Sequence, residues 1–179
     1  MKNIFLVFAI LFLTCVQCLL AQSQEDEKLL RKKHMEYLKP RMDGRQVKMN
    51  ILFGDLNGDG KEDAFIDWCI EATDKDREVE GGGNAMMFLG CWEEGYSVYI
   101  NNGKEWLLTS DKRKSEYHTD GFAFSVDFIN SGKIICSREA YAEDDARCCP
   151  SLKESIYLVY QNHKLLKPEQ KMVLRKKKD

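Results

Sequence analysis

Histidine, recognised catalytic motifs and long apolar runs are all scarce in this chain. The three histidines among 179 residues, His34, His118 and His163, are scattered, and no Cys-x-x-Cys pair occurs beyond residue 21. That argues against a zinc site or a thioredoxin-like redox centre. No Gly-x-Ser-x-Gly elbow, His-Glu-x-x-His helix, phosphate loop or dinucleotide fingerprint is present, so the common motif-borne hydrolases and nucleotide enzymes lose their support. Neither sign of charge dominates: 27 Lys and Arg face 29 Asp and Glu, a net charge of -2. Nothing in that balance points to a nucleic-acid partner. The length suits one compact domain.

The single long apolar run, Ile4 to Leu13, follows Lys2 and leads to Leu19-Leu20-Ala21. Residues 1–21 read as a secretory signal peptide with cleavage after Ala21; Thr14 and Gln17 interrupt the stretch too early for a membrane span. Neither Cys15 nor Cys18 has before it the small residue that lipoprotein processing prefers, so lipid anchoring is the lesser alternative. The expectation is a secreted or periplasmic protein without an integral membrane span. Cleavage removes Cys15, Cys18 and Lys2, leaving five cysteines and a charge of about -3.

Thiols in an oxidising compartment tend to pair. Cys69, Cys91, Cys136, Cys148 and Cys149 are the disulfide candidates, and an odd count leaves one over. The expected pairs are Cys69 with Cys91 and Cys136 with one of the adjacent Cys148 and Cys149. A ring closing those two neighbours on each other strains the peptide between them.

The fold class expected is mainly β (α+β), an antiparallel meander with an N-terminal helix. Beyond the signal, residues 22–44 read as that helix and a linker, 45–168 as a single β-rich domain, and 169–179 as a basic, frayed tail. Leu30, His34, Tyr37 and Leu38 share a helical stripe within residues 25–39, which Pro40 stops. Strands are expected at Val47 to Phe53, Ala64 to Ile70, Ala85 to Trp92, Tyr96 to Asn101, Glu105 to Thr109, Phe122 to Ile129, Lys133 to Ala140, Ile156 to Tyr160 and Lys164 to Lys167. Asn101-Asn102-Gly103-Lys104 and Asn130-Ser131-Gly132-Lys133 supply residues that tolerate positive φ, as tight hairpins require. Phe122, Phe124, Val126 and Phe128 alternate with small or polar residues and predict one apolar strand face.

The most informative motif is Gly54-Asp55-Leu56-Asn57-Gly58-Asp59-Gly60-Lys61-Glu62-Asp63. Oxygen-bearing side chains recur at every second position through Asp59 and again at Asp63. Calcium is a hard cation that takes six to eight oxygens, and Gly60 allows the bend that brings late donors back over an ion. Asp55, Asn57, Asp59 and Asp63 offer side chains and Lys61 its carbonyl, so one or two waters complete the set. Position twelve counted from Asp55 is Ile66 rather than the bidentate acid of an EF-hand, and the flanks read as strands. A calcium loop inside a β-hairpin is the expectation; a polar turn without an ion is the alternative.

This loop resembles the calcium hairpins of FG-GAP and VCBS repeats and is similar to dockerin loops, over residues 53–67 only. One copy is present, whereas a propeller needs several blades and a dockerin two loops with helices, so neither architecture is implied. A broader resemblance, over residues 47–166, is to small secreted bacterial proteins and lipoproteins that place such a loop before a meander and carry an Asp-x-x-Cys-Cys-Pro segment, here Asp145 to Pro150. That resemblance implies no reaction.

Two acidic segments read as solvated loops: Glu71, Asp74, Asp76, Glu78 and Glu80 before Gly81-Gly82-Gly83, and Glu143, Asp144 and Asp145 beside the vicinal cysteines. The function expected is a non-catalytic, calcium-stabilised binding or structural module with an unspecified protein or glycan partner. One alternative is a secreted enzyme using Cys148 or Cys149 and the adjoining acids. Another is a secreted inhibitor presenting Trp92, Tyr96, Tyr99 and Trp106.

Overall fold

A computed structural model describes residues 23–73, 76, 90–114, 124–140, 152–166 and 172–176, with the last segment and Ala140 described by backbone alone. The chain divides into two units, Met1–Asp43 and Gly44–Asp179.

In the first unit, residues 23–42 form one helix, α1. Leu30, His34 and Leu38, spaced by four, are fully buried, as a stripe at helical period predicts. Tyr37 is 40% exposed and departs from that stripe; its ring lies under the Arg41 guanidinium at 5.0 Å. Pro40 does not end the helix, which runs to residue 42. Pro40 lacks the amide that would bond the Glu36 carbonyl, yet the helix continues two residues past it, and termination falls to Asp43 and Gly44, with φ of 46° and 79°, a left-handed exit that glycine favours.

Among the described residues the second unit contains nine antiparallel strands: β1 Val47–Gly54, β2 Asp63–Glu71, β3 Cys91–Asn101, β4 Trp106–Arg113, β5 Ser125–Asn130, β6 Lys133–Ala140, β7 Leu152–Gln161, β8 Lys164–Leu166 and β9 Met172–Lys176. β1 to β4 form one sheet in sequence order and β5 to β8 the second, with β9 also on β7. The expected antiparallel meander is therefore present twice. Two expected strands merge into β3, and residues 85–89 lie outside the described residues. Met172–Lys176, within what the sequence suggested was a frayed tail, pairs with Leu152–Ser155.

The core lies between the sheets. Phe65, Tyr96 and Val98 from the first meet Ile134, Cys136, Ile156, Leu158, Tyr160 and Leu165 from the second, with Leu56 and Phe124 completing the cluster. Tyr160 donates from its hydroxyl to Thr109 Oγ1 at 2.8 Å, joining β7 to β4. At the opposite edges β1 meets β5, where a Cβ on Gly54 would stand 2.6 Å from Ile129 Cγ2. Only glycine permits that approach. β2 is buried on both faces, since Ala64, Ile66, Trp68 and Ile70 are as inaccessible as Phe65.

The alternation expected at residues 122–128 is broken. A bulge between Val126 and Phe128 inserts Asp127, and an extra residue reverses the facing of those after it. Phe124, Val126 and Ile129 pack on the core, while Phe128 is 51% exposed; Phe122 lies outside the described residues. The turn that follows has Ser131 and Gly132 at φ of 49° and 73°, the two positive angles of a tight hairpin. Asn162 and His163, at 50° and 60°, make an equivalent turn between β7 and β8.

Candidate functional site

The oxygen-rich segment is the connection of the β1–β2 hairpin, whose ladder closes on Gly54 opposite Asp63. Strands flank it, as expected, and its shape comes from side chains accepting hydrogen bonds from its own backbone. Asp55 accepts from the Gly58 amide at 2.7 Å and the Gly60 amide at 2.9 Å. Asn57 Oδ1 accepts from the Asp59 amide and Asp59 Oδ1 from the Lys61 amide, each at 2.9 Å. Gly58 and Gly60, at φ of 80° and 79°, hold the left-handed bends that bring those amides round.

Asp63 differs from the others. It is fully buried and accepts from two elements, the Leu56 amide at 2.9 Å and the Asn101 amide at 3.0 Å. It thereby ties the loop to the end of β3, while the Leu56 side chain packs into the inter-sheet core. Burial pushes the Asp63 carboxyl up, against the lowering effect of the two amides. The Lys61 amide draws the exposed Asp59 carboxyl down, helped by the Lys61 ammonium 3.4 Å away.

Among the described residues no group of three or more His, Cys, Asp or Glu stands close enough to hold a metal ion. Asp55, Asn57, Asp59 and Asp63 are instead engaged with amides. The donor chemistry still fits a hard cation: each carboxylate or amide oxygen has two lone pairs, and a backbone hydrogen bond uses one.

The Cys69–Cys91 disulfide forms as expected, with Cα atoms 5.4 Å apart. It joins neighbouring strands β2 and β3. The expected second bridge does not form at Cys136, which is a free, buried thiol. Cys136 faces the opposing sheet within the core, and burial, reinforced by the nearby Asp127 and Asp67 charges, pushes its thiol up to about 12. A neutral thiol is a poor nucleophile. Cys136 should therefore resist alkylation in the folded protein and react on denaturation, and rapid labelling under native conditions would contradict this assignment. Cys148, Cys149, Glu143, Asp144 and Asp145 lie outside the described residues.

Part of the first acidic segment is tied down. Arg45 grips Asp76 through Nε at 3.1 Å and Nη2 at 2.8 Å, and Asp76 also accepts from the Thr73 amide and hydroxyl. The Arg45 hydrogen bonds, followed by those of Thr73, hold the Asp76 carboxyl far below the usual carboxylate range. Arg45 also covers the Trp92 ring at 4.6 Å. Glu71 is paired with Lys48, and Asp74, Glu78 and Glu80 are outside the described residues.

The aromatic set considered for an inhibitory surface is mostly interior: Tyr96, Tyr99 and Trp106 are buried, and Trp92 alone is half exposed. A different apolar row lies on the second sheet. Register places Phe128, Ile135 and Tyr157 side by side across β5, β6 and β7, and Val159 beside Leu166. Phe128 and Leu166 are exposed, and Lys133 lies over the Tyr157 ring at 4.7 Å. Cross-strand pairing revealed this row; the broken period at Asp127 hid it from the sequence.

Among the described residues no helix is long and apolar enough to cross a membrane. No family model, curated protein or solved structure matches the chain.

Proposed function

We propose that this chain is an exported β module with a structural or binding role, and that calcium held in its first hairpin stabilises it. The observation that carries this reading is the loop between Gly54 and Ala64, where four oxygen-bearing side chains curl onto a backbone bent by Gly58 and Gly60. Asp55, Asn57, Asp59 and Asp63, with the Lys61 carbonyl, are the donors in this proposal. Kinship of the hairpin with FG-GAP and VCBS loops belongs to the same proposal. Export is in keeping with the Cys69–Cys91 bridge, because such bonds persist in oxidising compartments. A binding role draws support from the exposed row of Phe128 and Leu166, since apolar surface of this kind is a common mark of contact sites.

An ion that binds the native hairpin and not the unfolded loop stabilises the fold by mass action. Extracellular calcium modules bind in the range of about 0.1 to 1 mM. At about 10 mM calcium the gain is then roughly 1.4 to 2.7 kcal/mol. Melting in calcium should exceed melting in chelator by roughly 3 to 10 °C, and Asp59→Ala should abolish most of the difference. Equal melting temperatures in calcium and chelator would overturn the calcium assignment.

A further inference from the structure

We propose that Asp67 and Lys114 form an acid-released latch tying the C-terminal end of β4 across β3 to β2. Asp67 follows Asp63 and Phe65 on the face of β2 turned toward the second sheet, a place where the strand pattern calls for an apolar residue. Lys114 Nζ lies 2.9 Å from Asp67 Oδ1 and 3.3 Å from Glu94 Oε2, and 5.4 Å from the Tyr96 ring centroid. Backbone pairing of β4 with β3 ends at Arg113 opposite Gly95. Lys114 is the next residue, so its hold on β2 runs through its side chain.

The groups facing Asp67 decide what acid does to this contact. Glu94 and Tyr96 come from β3, with Lys112 opposite Tyr96 on β4; Cys136 approaches from β6 and interacts with both Asp67 and Asp127. Asn50, opposite Asp67 on β1, carries no charge. Burial raises the Asp67 carboxyl more than Lys114 lowers it, and Glu94 raises it further. Asp67 therefore takes up a proton before ordinary exposed carboxylates do.

A carboxyl raised in the folded state contributes stability that is fully present below its unfolded value and is lost as pH rises through the folded value. Neutralising Asp67 is thus no penalty to the sheet. It removes the closer of the two anions holding Lys114 and leaves Glu94, the more exposed partner, whose pairing with an ammonium is weak in water. The expected response to mild acid is undocking at the end of β4, with the ladders intact.

Amide hydrogen exchange of the full chain, read at residues 111–114 and corrected for intrinsic rates, tests the latch alongside NMR titration of the Asp67 carboxyl carbon. The opening constant should rise about five- to tenfold as Asp67 protonates. Asp67→Asn should exchange as the open form at neutral pH and in mild acid alike, and Glu94→Gln should keep the acid step. Unchanged protection in the wild type across the Asp67 titration, or an acid step surviving in Asp67→Asn, would overturn the proposal. Should Asp67→Asn fail to fold, Lys114→Met serves: loss of the step while Asp67 still titrates supports the latch, and a persisting step overturns it.

Discussion

Replacing Arg138 with Met should destabilise the fold by about 3–5 kcal/mol, because it leaves Glu154 a buried carboxylate without its guanidinium partner. Arg138 and Glu154 stand opposite one another on β6 and β7, and their side chains are 4% and 2% exposed, in contact through Arg138 Nε and a Glu154 carboxylate oxygen. They continue the rows that carry Cys136 and Ile156 into the core. Charges this deep are tolerated as a pair; removing one isolates the other in a medium of low dielectric.

Urea denaturation should show the midpoint falling in Arg138→Met. The double variant Arg138→Met with Glu154→Leu should recover most of the loss, since apolar replacement of a whole buried pair is often neutral or favourable. A single variant as stable as the wild type would mean that water or another group compensates Glu154. A double variant no better than the single would assign the loss to packing rather than to charge.

Opening the Cys69–Cys91 bridge should have the next largest effect. The two cysteines are 22 residues apart, and releasing a loop of that size into the unfolded ensemble lowers stability by about 3 kcal/mol in the chain-entropy account. Melting of Cys69→Ser with Cys91→Ser should fall by roughly 6 to 12 °C for a protein of this size. Reductant should lower the wild type comparably and leave the double variant unchanged. Equal melting of oxidised and reduced wild type would show that the reduced chain retains this closure without the bond.

The proposed calcium site lies at the β1–β2 turn and the disulfide between β2 and β3, so any contribution from calcium should add to that of the bridge when the two are measured in combination. The latch stands apart from both in its readout: it alters local exchange at the end of β4 with little change in global stability.

Much of the strand pattern was legible because each hairpin is a local object. Gly54 through Asp63 specified a turn, and Asn130-Ser131-Gly132 supplied the positive φ that the next sheet uses. The Cys69–Cys91 bridge is local in the same sense, since it joins β2 and β3, strands consecutive in the sheet. A single inserted residue, Asp127, inverts the period-two pattern and turns Phe128 outward, and nothing local in the sequence announces that bulge. Pro40 reads as a helix stop from its local chemistry, yet α1 runs two residues past it to a left-handed exit at Asp43 and Gly44. Cys136 was expected in a bridge and is instead a buried thiol, a consequence of which residues the opposing sheet presents.

What the sequence determined by itself were the elements whose causes lie within a few residues: the turns set by Gly, Asn and Asp, the buried stripe of α1, the apolar run of β2, and the oxygen-rich loop. Tertiary structure decided how partners distant along the chain meet. It alone placed Asp67 under Lys114, Arg138 beside Glu154, and the Leu56 side chain in the core beneath a loop of carboxylates. Turn chemistry acts through φ and adjacent hydrogen bonds, whereas the ionisation and burial of those groups depend on the dielectric and the neighbours created when two sheets close on each other.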